Sequence, residues 1–219
     1  MIRLHAVGGL CNRLRAILGY RARFGRPLSV VWTPDEYVSH GRFSDVFEAL
    51  DGVTFCDDGP WTVEDFSPPA SVPADWERGY GDLVTKEDHI GPLTSYLAIH
   101  VRRTDHVPDT ATHGGRIRPL EDYVEWAARW PTLPVYVATD NGQTQARLCS
   151  MLGSRAVVGT RLDGVEIQAL HDHRRNGTLR DAVRDLCRCS AATHFLGSLE
   201  GSYSQTINIF RRGRGLEPG

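Results

Sequence analysis

The sequence predicts an α/β protein built on mainly parallel sheets, and three observations carry that expectation. Short β-branched runs alternate with stretches of helical periodicity along most of the 219 residues, the pattern of strands covered by helices. Tyr96, Leu97, Ala98, Ile99 and Val101 form an apolar run that reads as a buried strand. Finally, glycines or polar side chains follow the strand-like runs directly: Gly8 and Gly9, then His100 with Arg102 and Arg103, then Asp140 and Asn141. In open α/β sheets, ligands sit beyond the carboxyl ends of the strands.

Composition narrows the possibilities. The formal net charge is −2 and basic residues number 25, of which only Lys86 is lysine; nothing points to a nucleic-acid or membrane surface. No apolar run reaches the roughly eighteen residues of a membrane span, and the start of the chain lacks the apolar stretch of a signal peptide. Five scattered cysteines, Cys11, Cys56, Cys149, Cys187 and Cys189, argue for a reducing compartment and against a disulfide framework. A soluble, cytoplasmic protein is expected.

Residues 2–7 read as a first strand, followed by the Gly8-Gly9 turn and a helix marked by Leu10, Leu14, Ile17 and Leu18. Arg13, Arg15, Arg21 and Arg23 fall on its other faces. The turn lets backbone approach a ligand, or serves as a tight turn without one. Gly25 and Pro27 end the helix; residues 28–32 and 53–56 read as strands, and 43–50 as a short helix. From 57 to 92 the chain carries Pro60, Pro68, Pro69 and Pro73 without periodicity, and reads as an irregular connector. Its Trp61, Trp76 and Tyr80 either pin the connector by packing or offer a stacking surface to a sugar.

The strand at 96–101 ends in two adjacent guanidiniums, Arg102 and Arg103. Burying either without an anion would cost several kcal/mol, about 3–5. The anion is either a phosphate-bearing ligand or a carboxylate of the same chain. A polar loop at 107–118 follows. Pro119 then opens a helix through Leu120, Tyr123, Val124, Trp126, Ala127 and Trp130, with both tryptophans expected in the core. Residues 135–138 read as a strand, 145–152 as a helix and 155–158 as a strand, while 164–176 is ambiguous. His171, His173, Cys187 and Cys189 match no standard zinc spacing, so no metal site is expected. Thr178 and Asp181 make a capping box for a helix whose buried stripe is Leu179, Val183, Leu186 and Cys187, with Asp185 near its carboxyl end. Residues 194–197 form the last strand. The stretch 198–204 leads into an apolar helix whose start suits a phosphate or is capped by its own serines, and the tail from Arg211 is expected to fray.

Four segments occur in an order that resembles the fucosyltransferase superfamily, most closely its α1,6 branch: GGLCNRLRAILGYRA, IHVRRTD, VYVATDN and DLCRCSAATHFLGSLEGSYSQTI. The superfamily also includes Nod-factor, α1,2- and protein O-fucosyltransferases. The resemblance implies a compact GT-B-like fold of two Rossmann-like halves, 1–92 on the acceptor side and 93–219 on the nucleotide-sugar side. It further implies GDP-fucose as donor substrate, a glycan or other hydroxyl acceptor, and no required metal or cofactor.

By the same resemblance Arg102 binds the β-phosphate, with Arg103 beside it. His100 and Asp185 are matched to guanine recognition, Ser204 with nearby Ser202 to a phosphate contact, and Asp140 to the first of two acidic positions after its strand. The second of those positions is Asn141 here. Gly8, Gly9 and Asn12 match a first turn that faces the cleft. Inverting transfer also needs a base for the acceptor hydroxyl, and Asp105 and Asp109 are equal candidates. The alternatives are a binding module that has kept the fold without turnover, or another α/β enzyme acting on a phosphorylated substrate.

Overall fold

A computed structural model describes residues 2–25, 27–86, 94–103, 118–162, 177–199 and 201–219. The chain divides into two compact units: Met1–Asp88 with Thr178–Val183, and His89–Gly177 with Arg184–Gly219.

The first unit contains β1 (Arg3–Ala6), α1 (Leu10–Phe24), β2 (Leu28–Val31), β3 (Val53–Cys56) and β4 (Val63–Asp65). Its strands pair in parallel in the order β3-β2-β1-β4. Leu10, Leu14, Ile17 and Leu18 of α1 are buried as their spacing predicts, and Arg21 and Arg23 lie in the last turn, where cations suit the helix dipole.

Two expectations for this unit need correction. Residues 43–50 do not form a helix; only a 3-10 turn at Phe43–Asp45 does. Aromatic packing overrides the local pattern, because Phe43 stacks on Phe55 at 4.0 Å and Phe47 forms an antiparallel bridge with Thr85. Nor is the described part of 57–92 structureless, for it contributes β4 and a 3-10 helix at Trp76–Asp82. β4 is three residues long and two of them are acidic, so its stability comes from pairing with β1 rather than from propensity. Tyr80 is buried and Asp82 pairs with Arg21 of α1 at 2.6 Å, which fastens the 3-10 helix.

The second unit contains β5 (Leu97–Val101), α2 (Leu120–Ala128), β6 (Val135–Thr139), α3 (Gly142–Leu152), β7 (Ala156–Val157), residues 184 onward of α4 (Leu179–Ala191), β8 (His194–Leu196) and α5 (Ser202–Gly213). Its order, β7-β6-β5-β8, is again all parallel and repeats the first unit's plan of third, second, first, fourth strand. Side chains alternate across it as a pleat requires. Leu97, Ile99, Val101, Val135 and Val137 pack with Leu120, Tyr123 and Ala127 of α2 and Leu148 and Leu152 of α3. Tyr96, Ala98, Tyr136 and Ala138 pack with Leu186 and Cys189 of α4 and Ile207 of α5. Trp126 and Trp130 lie against the first of these clusters, partly buried.

Three boundaries differ from the sequence expectation. α3 starts at Gly142, because Asn141 Oδ1 accepts the Thr144 N–H at 2.8 Å and caps it. Asp185 sits in the middle of α4, not near its end. The tail does not fray at Arg211: this fully buried residue donates to the carbonyls of Ala192 at 2.6 Å and Glu217 at 2.7 Å, so its charge is solvated by main chain. Two four-stranded parallel sheets with helices packed on them form the Rossmann-like halves of a GT-B-like α/β fold.

Candidate functional site

In a sheet ordered third, second, first, fourth, the connections leaving the first and fourth strands diverge, which opens a crevice at their carboxyl ends. In the second unit those strands are β5 and β8, and the polar residues singled out from the sequence gather there. β8 ends at Leu196, yet the pairing is continued by a side chain: Ser198 Oγ accepts the Arg102 N–H at 2.8 Å and donates to the His100 carbonyl at 3.1 Å. On the opposite flank, Asp140 Oδ1 beyond β6 accepts the Arg103 N–H at 2.9 Å. The backbone bearing the two arginines is thereby clamped from both neighbouring strands.

His100 continues the face of Tyr96 and Ala98, and so meets α5. Its Nδ1 lies 2.9 Å from Ser204 Oγ, both residues are buried, and the Tyr203 ring stacks on the imidazole at 4.6 Å. Gly197, just after β8, is required by this contact. A Cβ there would come within 2.7 Å of Ser204 Cβ and Oγ. Ser202 opens α5, and the N-cap, Gly201, supplies no side-chain hydrogen bond.

Arg103 extends toward α2. Its guanidinium donates to the Arg118 carbonyl at 2.9 Å, and burial lowers its pKa, an effect opposed by Tyr123 and Asp140. The same region holds the Tyr123 hydroxyl, 3.4 Å from Ser198 Oγ, whose pKa burial raises.

Asp185 is held from β6: Tyr136, fully buried there, donates to its Oδ1 at 2.5 Å. Burial first, then the Asp185 charge and this hydrogen bond, push the Tyr136 pKa far above its ordinary value. Gly159 lies against the same Tyr136 hydroxyl and leaves no room for a side chain. Beside it, Gln145 holds the Thr160 carbonyl and the Leu162 N–H at 2.9 Å each.

The first unit places Gly8, Gly9 and Asn12 at the turn after β1. Gly8 has a φ of +80°, a conformation that favours glycine, and a Cβ there would crowd Asn12 Nδ2 at 3.2 Å. The sequence spacing puts Arg13 on another face of α1 than the apolar stripe and assigns it no role in a site. Arg13 is fully buried, donates to the carbonyls of Gly8 and Thr33 at 2.7 Å each, and pairs with Asp35 at 2.5 Å.

The structure therefore brings His100, Arg102, Arg103, Asp140 and Ser204 together. It adds Ser198 and Tyr203, which sequence reasoning did not assign, although both lie in the SLEGSYS stretch. Asp105 and Asp109, with His171 and His173, lie outside the described residues. Among the described residues, no group of three or more His, Cys, Asp or Glu gathers as metal ligands would, and no helix is long and apolar enough to cross a membrane.

No protein-family model matches the chain, and no curated protein matches it in sequence. Solved structures do match. POFUT1 in complex with GDP superposes with a TM-score of 0.60 at 12% identity, over 99% of this chain and 96% of that one. The fucosyltransferase NodZ from Bradyrhizobium gives 0.61 at 13%, over 94% and 92%. POFUT1 in complex with GDP-fucose gives 0.52 at 12%, over 99% and 96%. The likeness is one of fold: the chain has a fucosyltransferase-like fold along nearly its whole length.

Proposed function

We propose that the chain is a metal-independent inverting glycosyltransferase that moves fucose from GDP-fucose to a hydroxyl of a glycan or similar acceptor. The observation that carries this reading is the clamped end of β5. Arg102 and Arg103, held through their backbone N–H groups by Ser198 and Asp140, stand where the strand order reverses, in a fold shared with a GDP-bound fucosyltransferase.

In this reading the acceptor oxygen attacks the anomeric carbon of fucose from the face opposite GDP, the bond from that carbon to the β-phosphate oxygen breaks, and the acceptor's proton passes to a base. Charge develops on the departing diphosphate. The Arg102 guanidinium and the N–H groups at the start of α5 stabilise it more in the transition state than in the ground state. His100, oriented by Ser204 and Tyr203, and Asp185, oriented by Tyr136, are assigned to the guanine. Asp105 and Asp109 are the candidates for the base. Asn141, the departure from the two-acid pattern, caps α3 as an Asp would, and no role that needs both carboxylates is assigned.

Calorimetric titration with GDP, UDP and ADP without added metal tests the donor site. Selective GDP binding that Arg102→Ala weakens roughly 10- to 100-fold is the expected result, followed by turnover of GDP-fucose with an acceptor. A folded protein that binds none of the three overturns the assignment. Asp105→Asn and Asp109→Asn separate the two bases, since the true one retains GDP affinity and loses turnover.

A further inference from the structure

The first unit carries a second constellation at its own sheet. His5 of β1 and Glu64 of β4 are register partners in parallel strands, so their side chains share a face. Leu4 and Ala6 are fully buried on the other face. His5 Nδ1 lies 2.9 Å from Glu64 Oε2, and Nε2 lies 3.2 Å from Thr33 Oγ1, so both nitrogens are engaged and the ring is fixed. Thr33 is itself held by the buried guanidinium of Arg13 through its carbonyl.

On this fixed imidazole stacks the indole of Trp61, with centroids 5.8 Å apart and planes at 29°. Trp61 is nevertheless 49% exposed, and the Glu64 side chain 47%. An indole held only for packing gains most by burying its full surface. This one is oriented by a histidine yet left half in water, with a carboxylate and a threonine hydroxyl bordering the same imidazole.

We infer that His5, Trp61, Glu64 and Thr33 form a saccharide-binding site. A pyranose has an apolar C–H face, which an exposed indole accommodates, and a rim of hydroxyls, which a carboxylate and a threonine hydroxyl can bond. Glu64 repels phosphate, and the neighbouring Arg3 guanidinium already donates to the Asp58 carbonyl, so a neutral sugar rather than a nucleotide fits the site. Calling that sugar the acceptor rests on the transferase reading; the binding does not.

The test is binding of the full chain, without nucleotide, to an array of short neutral oligosaccharides. Calorimetry with the strongest binder then compares wild type, Trp61→Ala, Trp61→Phe and Glu64→Gln, with GDP titrated in parallel. The expected result is a loss of about tenfold or more for Trp61→Ala, a smaller loss for Trp61→Phe, and unchanged GDP affinity in both. Absence of oligosaccharide binding by a wild type that binds GDP overturns the site while leaving the transferase reading standing. Full retention of oligosaccharide affinity by Trp61→Ala, with unchanged thermal unfolding, also overturns it.

Discussion

His100 and Ser204, 104 residues apart in sequence, face each other at 2.9 Å in the interior of the second unit. One stands on the central strand and the other in the first turn of the last helix, so this bond fixes the helix start against the strand end that bears the arginines. Ser204→Ala leaves a buried imidazole nitrogen without its partner and costs about 1–3 kcal/mol. Urea denaturation reads the loss directly, and GDP affinity falls with it.

Gly197→Ala attacks the same junction from the other side. The new Cβ would press on Ser204 Cβ, which is anchored in α5 and cannot swing aside. The start of the helix must shift, at a cost of roughly 1–3 kcal/mol. Crystallography or a His100 ring NMR signal shows whether the imidazole has lost Ser204, and weaker GDP binding accompanies the shift.

The two arginines separate by role. Arg102→Ala removes a charge-assisted contact to the diphosphate and weakens GDP roughly 10- to 100-fold. Arg103→Ala deprives the Arg118 carbonyl of its donor and lowers Tm by about 3 °C, with a weaker effect on GDP. Equal loss of GDP affinity in both variants, without a change in Tm for Arg103→Ala, contradicts this division.

In the first unit, Arg13→Met strips two main-chain carbonyls and Asp35 of one shared donor. Breaking a buried pair by removing one partner costs about 3–5 kcal/mol. The lower end applies, because Asp35 retains contact with water. Thermal unfolding measures it, and Arg13→Met combined with Asp35→Leu recovers part of the loss.

Alkaline pH tests the buried tyrosines. Burial pushes the Tyr96 pKa up to about 12 and raises that of Tyr136 further, while in the unfolded chain both ionise near pH 10. The folded state therefore binds more protons above that pH, and stability falls as pH rises. The contribution is fully present below about pH 10 and is lost through the folded pKa. Denaturation midpoints across the alkaline range should decline from there, and tyrosinate absorbance should show late-titrating groups. Tyr136→Phe should remove the latest.

Much of this architecture can be read without coordinates. The runs at 28–32, 96–101 and 135–138 are strong signals because they are largely buried, and burial constrains composition; 2–7 shows the alternation of a half-buried strand, and 53–56 is legible from its β-branched residues although none of them is fully buried. Pro119, Thr178 with Asp181, and Gly25 mark helix ends by local chemistry alone. Arg102 and Arg103 stand out because two guanidiniums after an apolar strand demand an explanation. β4 escaped notice, since three residues with two acids carry no period and its stability is lent by β1. Residues 43–50 misled in the opposite sense: their local pattern is helical, and the stacking of Phe43 on Phe55 decides against it.

The sequence by itself determined the order of strands and helices apart from β4 and residues 43–50, the parallel character of the sheets and the identity of the polar residues at the strand ends, because these follow from periodicity and from the chemistry of single residues. Only the tertiary structure decided which of those residues meet. Ser198 completing the β5 ladder, Ser204 reaching His100, Tyr136 holding Asp185 and the buried Arg13 are pairings across strand order and helix face. They depend on which strand lies beside which, and that choice is made by long-range packing, which no local window contains.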